Sequence, residues 1–243
     1  MPFQGSAMSG DRDRRVAMIS GANRGIGAAI AERLADDGWR LSLGIRNPGK
    51  VDPALRSREP LICRFDARGR AAEAAWVETT AAHFGRIDAV VNNAGIMIAK
   101  SVIDVADEDM DELLEVNVKS PRRLVRAAWP YLCQRGNGRV VTIVSLSGKR
   151  VKKAAAGAYA VSKFAALGLA HAIRHAGWDA GIRSTAICPG FVATAMARGL
   201  ADLEPGTLTQ PADVARLVSL VLDLPNNASV AELPINWQLE ESF

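Results

Sequence analysis

Short apolar or β-branched runs alternate along the chain with longer stretches whose apolar positions recur at helical spacing. That alternation is the signature of βαβ units, whose right-handed crossovers return the chain so that successive strands lie parallel. Strands are predicted at 16–20, 40–45, 61–65, 87–92, 139–145, 182–188 and 229–235. Helices are predicted at 26–37, 70–84, 107–134, 154–176 and 211–224, the last with Thr209 as its cap and Pro211 in its first turn. Segments 47–59 and 191–210 read as mobile loops, the second holding Gly199, Pro205 and Gly206. No repeat, linker or low-complexity tract divides the chain, so the expected fold class is α/β: one doubly wound domain over 14–243, a seven-stranded parallel sheet with helices on both faces.

With 243 residues and 49% hydrophobic content, the chain can bury a large core. Its most alanine-rich stretch, 154–173, is interrupted by Lys163 and carries His171, so no membrane-spanning run and no membrane partner are expected. Residues 1–13 lack the apolar centre of a secretory signal and read as a disordered N-terminus or tag remnant, with Met8 as a natural start. Cys63, Cys133 and Cys188 are widely spaced and without CxxC, which suggests neither disulfides nor a metal site and fits a reducing cytoplasm. A net charge of +4 and pI near 9.2 raise the question of nucleic acid, but the arginines are scattered among helical faces, and no such partner is expected. The dense group Lys149, Arg150, Lys152 and Lys153 reads as a solvated loop; steering of an anionic substrate is its alternative role.

The first strand runs into SGANRGIG, residues 20–27, and then a helix. Gly21 permits a tight turn, Gly25 lets backbone N–H groups approach a pyrophosphate, and Gly27 allows close packing of helix on strand. Asn23, Arg24 and Ile26 complete this turn, which has the spacing GxxxGxG. Further on come Asn92-Asn93-Ala94-Gly95, Asn117 in LEVNVKS, Ser145 at the end of VVTIVS, YAVSK at 159–163, and Cys188-Pro189-Gly190 with Thr194. In YAVSK, Tyr159 and Lys163 rise from one helix face, about 40° apart around the axis. Together, and in this order from about Arg15 to the end, the segments resemble the short-chain dehydrogenase/reductase family. Departures are Ser20 for threonine, Thr142 for asparagine and Val144 for the first serine of a Ser-Ser pair. The last leaves Ser147 as a rival to the preferred Ser145.

The resemblance implies a Rossmann-like fold and an oxidoreductase that moves a hydride between a nicotinamide cofactor and a carbonyl/alcohol pair. It gives the catalytic set Asn117, Ser145, Tyr159 and Lys163. Tyr159 exchanges the proton, Ser145 holds the substrate oxygen, Lys163 lowers the tyrosine's pKa and binds the nicotinamide ribose, and Asn117 fixes a relay water. A buried asparagine serving backbone groups is the other reading of Asn117. Asn93, Ala94 and Gly95 would line the cofactor trough, and Pro189, Gly190, Val192 and Thr194 the nicotinamide. Ile45 stands where family members that use NAD often carry aspartate, and Arg46 and Arg24 could clasp a 2′-phosphate, so NADP is expected over NAD. Asp66, with Ala67 beside it, would meet the adenine edge or cap the next helix. Ile96, Leu146 and Phe191, with Ser145 and Tyr159, would surround a small carbonyl or alcohol substrate. A homotetramer or homodimer through 107–134 and 154–176 is implied, and a regulator that senses NADP without turnover is the competing function.

Overall fold

The computed structural model describes residues 14–198 and 204–239. The reading of 1–13 as a tag remnant or disordered start, and Gly199, lie outside the described residues. The sheet has the order β3-β2-β1-β4-β5-β6-β7, and every neighbouring pair is parallel. Its strands are β1 Val16–Ser20, β2 Arg40–Ile45, β3 Leu61–Arg64, β4 Ala89–Asn92, β5 Arg139–Ile143, β6 Arg183–Pro189 and β7 Glu232–Ile235. The helices are α1 Gly25–Asp36, α2 Pro53–Arg56, α3 Ala72–Phe84, α4 Asp107–Leu114, α5 Ser120–Gln134, α6 Gly157–Gly177, α7 Ala195–Arg198 and α8 Pro211–Asp223. Strand order reverses between β1 and β4, the place where doubly wound sheets open a crevice at the carboxyl ends of their strands.

Alternation along each strand sorts the helices into two layers. In β1, Ala17 and Ile19 join Ile30 and Leu34 of α1 and Val214 and Val218 of α8. Met18, between them, joins Trp76 of α3, Leu124 and Leu132 of α5 and Ile173 of α6. Ala89 and Val91 against Val90, and Val141 and Ile143 against Val140, divide the same way. Both faces are covered, so the central strands read as unbroken apolar runs.

Several element ends differ from the pattern. Phe65, Ile87 and Val144 are buried yet lie outside β3, β4 and β5, and β7 begins only at Glu232. Segment 47–59 is not plain loop: it holds the 3₁₀ turn Pro48–Lys50 and α2, capped by Asp52 accepting from the Ala54 N–H at 2.8 Å. Thr209 does not cap the last helix. Gln210 does, in a capping box in which its N–H donates to Asp213 Oδ2 at 3.0 Å, while Thr209 is buried and bridged to Val192.

Two helical readings also change. Ala154–Gly177 is 24 residues long and contains an 18-residue window of mean hydropathy 1.2, enough by length and composition to cross a membrane, although half of that window is buried inside the protein. The predicted helix 107–134 is interrupted by a π turn, Glu115–Lys119, between α4 and α5. Pro121 has no N–H to offer the Asn117 carbonyl four residues earlier, which removes one α-helical bond where the extra residue is inserted.

Beside the crevice, Trp76 fills the space over Gly44. Its indole Nε1–H donates to Ser42 Oγ at 2.8 Å, and Ser42 Oγ and Thr80 Oγ1 are 2.7 Å apart. A Cβ on Gly44 would lie 2.6 Å from two ring carbons of Trp76. Gly44→Ala is therefore expected to destabilise the protein by about 1–3 kcal/mol, seen as a lower urea midpoint with an unchanged m value.

Candidate active site

The glycine turn works because three chain segments meet at the switch point. Gly21 has φ +69° and donates its N–H to the Gly44 carbonyl at 2.9 Å. A Cβ there would stand 3.1 Å from both Ala94 Cα and Asn93 Nδ2, and a Cβ on Gly27 would overlap Asn93 Nδ2 and the Gly21 carbonyl. Asn93 Nδ2 donates to the carbonyls of Ser20 at 2.9 Å and Gly21 at 3.2 Å. Ser20 Oγ accepts from the backbone N–H groups of Asn93 and Ala94, each at 3.0 Å. From sequence, Ser20 was only a departure from threonine, and its role as the pin between β1 and β4 becomes visible in the fold.

The turn leads into α1 with neither a side-chain cap nor an acidic residue in the first turn, which leaves its N-terminal N–H groups for an anion. Gly25, at φ +56°, faces the Thr194 methyl, 3.2 Å from where its Cβ would be. Asn23 and Ile26 are half-buried between them. Arg24 and Arg46 are both exposed, and among the described residues neither guanidinium makes a hydrogen bond or ion pair. Ile45, in contrast, is buried in the core. Asp66 does not cap α3, whose N-cap is Ala71; it closes a local turn by accepting from the Arg68 N–H at 3.1 Å. The carbonyl of the buried Ala67 receives Arg123 Nη2 at 3.4 Å. A bare-backbone cradle and an open helix start fit the pyrophosphate of a dinucleotide.

The far end of the crevice is built from β6 and β7. Pro189 ends β6, and the Gly190 N–H donates to the Ile235 carbonyl at 2.8 Å. A Cβ on Gly190 would overlap Asn236 Oδ1. Val192 is buried, Thr194 N–H donates to its carbonyl at 2.7 Å, and Phe191 is exposed. Ile96 is half-buried between two apolar clusters. Leu146 is buried among Val144, Ala170, Ala186 and Cys188, so its side chain forms the floor below Ser145 and does not stand open to a substrate.

Between these ends, Ser145, Tyr159, Lys163 and Asn117 come together from β5, α6 and the π turn. The Ser145 side chain is near enough to the Tyr159 hydroxyl to favour its ionised form, which Ser147 does not do. Ser145 Oγ also accepts the Ser147 N–H at 3.0 Å. Lys163 Nζ lies 5.7 Å from the Tyr159 ring centroid and donates to the Ile143 carbonyl at 3.1 Å. Gly95 keeps that side bare, since its Cβ would stand 3.6 Å from Lys163 Nζ. Asn117 holds the strand 4 loop: Oδ1 accepts from Ile96 N–H and Nδ2 donates to Ile96 O, each at 3.0 Å. Asn117 Nδ2 also reaches Ser162 Oγ at 2.9 Å, and Ser162 donates to the Tyr159 carbonyl at 2.7 Å. Nothing within YAVSK itself marks Ser162 as this bridge.

Burial dominates the electrostatics. It pushes the Tyr159 phenol up to about 12, opposed by the hydrogen bond from Ser145, and pushes the Lys163 ammonium down to about 8. Desolvation is the first cause for both groups and acts on them in opposite directions. The basic group after β5 is not merely solvated. Lys149 pairs with Glu232, whose other oxygen meets His171 Nε2 at 2.7 Å, and Arg150 and Lys152 have partners of their own.

The family model described as short chain dehydrogenase matches residues 15–204. An agropine synthesis reductase of Rhizobium rhizogenes is 40% identical over 221 residues, which are 88% of this chain and 50% of that protein. The chain thus spans about half the length of the first curated relatives it matches. An alcohol dehydrogenase of Thermococcus sibiricus, complexed with 5-hydroxy-NADP, superposes with TM-score 0.84 at 27% identity over 94% of this chain and all of its own. A variant actinorhodin polyketide ketoreductase with NADPH gives 0.83 at 26% over 92% and 96%. With the parallel sheet, glycine cradle and these matches together, the chain belongs to the short chain dehydrogenase family.

Proposed function

We propose that this oxidoreductase is an NADP-dependent carbonyl reductase formed by 14–243 as one domain. When bound, NADPH supplies the hydride for the carbonyl carbon. Tyr159 gives its proton to the carbonyl oxygen, Ser145 donates a hydrogen bond to that oxygen as charge develops, and Lys163 holds positive charge behind the phenol. The observation that carries this reading is the convergence of Ser145, Tyr159 and Lys163, with Ser145 acting on the buried phenol and Lys163 Nζ 5.7 Å from its ring, at the carboxyl end of the sheet beside the cradle. A phenol pushed up to about 12 keeps its proton at neutral pH, the form that reduction needs and oxidation does not.

For the cofactor, unpaired Arg24 and Arg46 beside a buried Ile45 supply charge-assisted donors to a 2′-phosphate and no acid to receive a ribose diol. The NADP-type molecules bound to the two structural relatives support the same choice. Three free cysteines suit the cytoplasm as the location. Val161 and Phe164, exposed on α6 at 43% and 44%, suit a homodimer or homotetramer through that helix.

Tyr159→Phe is expected to lower turnover by about 10²- to 10⁴-fold while NADPH still binds, which a fluorescence titration reads separately from a rate assay. A wild-type protein that binds NADPH yet turns over no aldehyde, ketone or 3-oxo ester would identify the sensor instead. Replacing Arg24 and Arg46 by alanine should weaken NADPH by about 10- to 100-fold and leave NADH within a few-fold. Carbonyl reduction should decline as pH rises through about 8, where Lys163 loses its proton. Alcohol oxidation, which needs the phenolate, should rise only as pH climbs from there toward the phenol's value of about 12; identical profiles for both directions would contradict the assignment.

A further inference from the structure

At the amino-terminal edge of the sheet, opposite the crevice, lies a cavity of about 230 Å³ lined by Arg15, Trp39, Asp88, Arg139, Asp223 and Asn226, among others. Arg139, the first residue of β5, is only 7% exposed. A guanidinium buried to that degree is ordinarily matched by a carboxylate. Here its partners are neutral: Nη1 donates to the Asn137 carbonyl at 3.0 Å, the Gly138 carbonyl at 3.2 Å and Asn226 Oδ1 at 2.8 Å, and Nη2 to the Leu224 carbonyl at 2.5 Å.

Those oxygens satisfy hydrogens without cancelling charge. The C-terminus of α8, to which Leu224 belongs as cap, offsets about half a charge. Both carboxylates on the cavity wall are engaged elsewhere. Asp88 takes Arg86 at both oxygens and the Val16 N–H at 2.8 Å, and Asp223 takes Arg15. The nearest strand neighbour adds to the excess: Arg183 pairs in register with Arg139 and bonds only to the carbonyls of Asn226, Trp178 and Ile182. Burial, then Arg183 and Arg15, push the Arg139 guanidinium below its ordinary value. Among the described residues Arg139 Nε has no acceptor and is not closed off from solvent, so one donor of a guanidinium that lines the cavity is left open.

We propose that this cavity is a binding site for a small oxyanion, a carboxylate or a phosphate, received by the Arg139 guanidinium and distinct from the nucleotide crevice. The open Nε–H can give a charge-assisted hydrogen bond to one oxygen of either group, with the rest of the guanidinium held in place by its carbonyl partners. Space beyond the anion is walled by Trp39, Leu222 and Pro225, which suits a small metabolite with an apolar body.

The test is calorimetric titration of the full chain with inorganic phosphate and, separately, acetate, at constant ionic strength set by chloride and with saturating NADP to occupy the crevice. Saturable 1:1 binding of either anion supports the site, and which of them binds names the source. Arg139→Met should lose at least tenfold in affinity, and Arg139→Lys, a cation without the fork, should also weaken it. Asn137 is exposed on the cavity rim, so Asn137→Asp should fold whatever Arg139 variants do, and the carboxylate it adds should abolish binding. No binding beyond chloride, or equal binding to wild type and Asn137→Asp, would overturn the proposal. Failure of NADP itself to bind would count against the proposed function and leave this readout intact.

Discussion

Where the β1–β4 ladder ends, the segments that follow the two strands are held together by one hydroxyl and one amide. Ser20 Oγ receives the N–H groups of Asn93 and Ala94, and Asn93 Nδ2 returns a bond to the end of β1. These bonds draw the β4 loop so close to the glycine turn that no side chain fits at Gly27. The closeness produces both a floor of bare backbone for a phosphate and the path by which Gly95 comes to lie against Lys163. The crevice and the Tyr159 cluster are therefore consequences of a single approach between two loops.

Inside the cluster, the balance of forces departs from a picture drawn from helix spacing alone. A lysine one turn from a tyrosine looks like a device for stabilising phenolate. In the folded protein each group has lost water, and desolvation raises one and lowers the other, so that two titrations that begin close together are driven apart. The lysine's ammonium is shared with the Ile143 carbonyl, and the tyrosine's oxygen with Ser145. Such an arrangement keeps a proton available to a substrate oxygen and resists giving it to solvent.

The fold was largely legible because strands covered on both faces leave long apolar runs, and seven such runs separated by amphipathic stretches admit few topologies. Family motifs marked the residues at the crevice, since the glycines, Asn117, Ser145, Tyr159 and Lys163 lie at strand ends or one helix turn apart. What escaped depends on contacts between distant segments. Nothing local to Ser20 or Ser162 announces a hydroxyl bridging two loops or two helices. Lys149 reads as one more exposed cation until Glu232, 83 positions away, is seen beside it. Thr209 was a sound cap by residue type, but the chain needed it for the bridge to Val192, and Gln210 with Asp213 took the role.

The π turn carries a geometric consequence for the helix pair it separates. Leu113 and Leu124 are eleven positions apart and would point in nearly the same direction on an uninterrupted α-helix. One inserted residue swings the downstream spiral by about 100°, so a stripe that is continuous in sequence divides in space. Its upstream part, through Leu113, braces Ala158 and Tyr159, while the downstream part, through Leu124, Ala128 and Leu132, seals the sheet. A single surplus residue thus lets one amphipathic segment serve two masters, the reacting tyrosine and the hydrophobic interior.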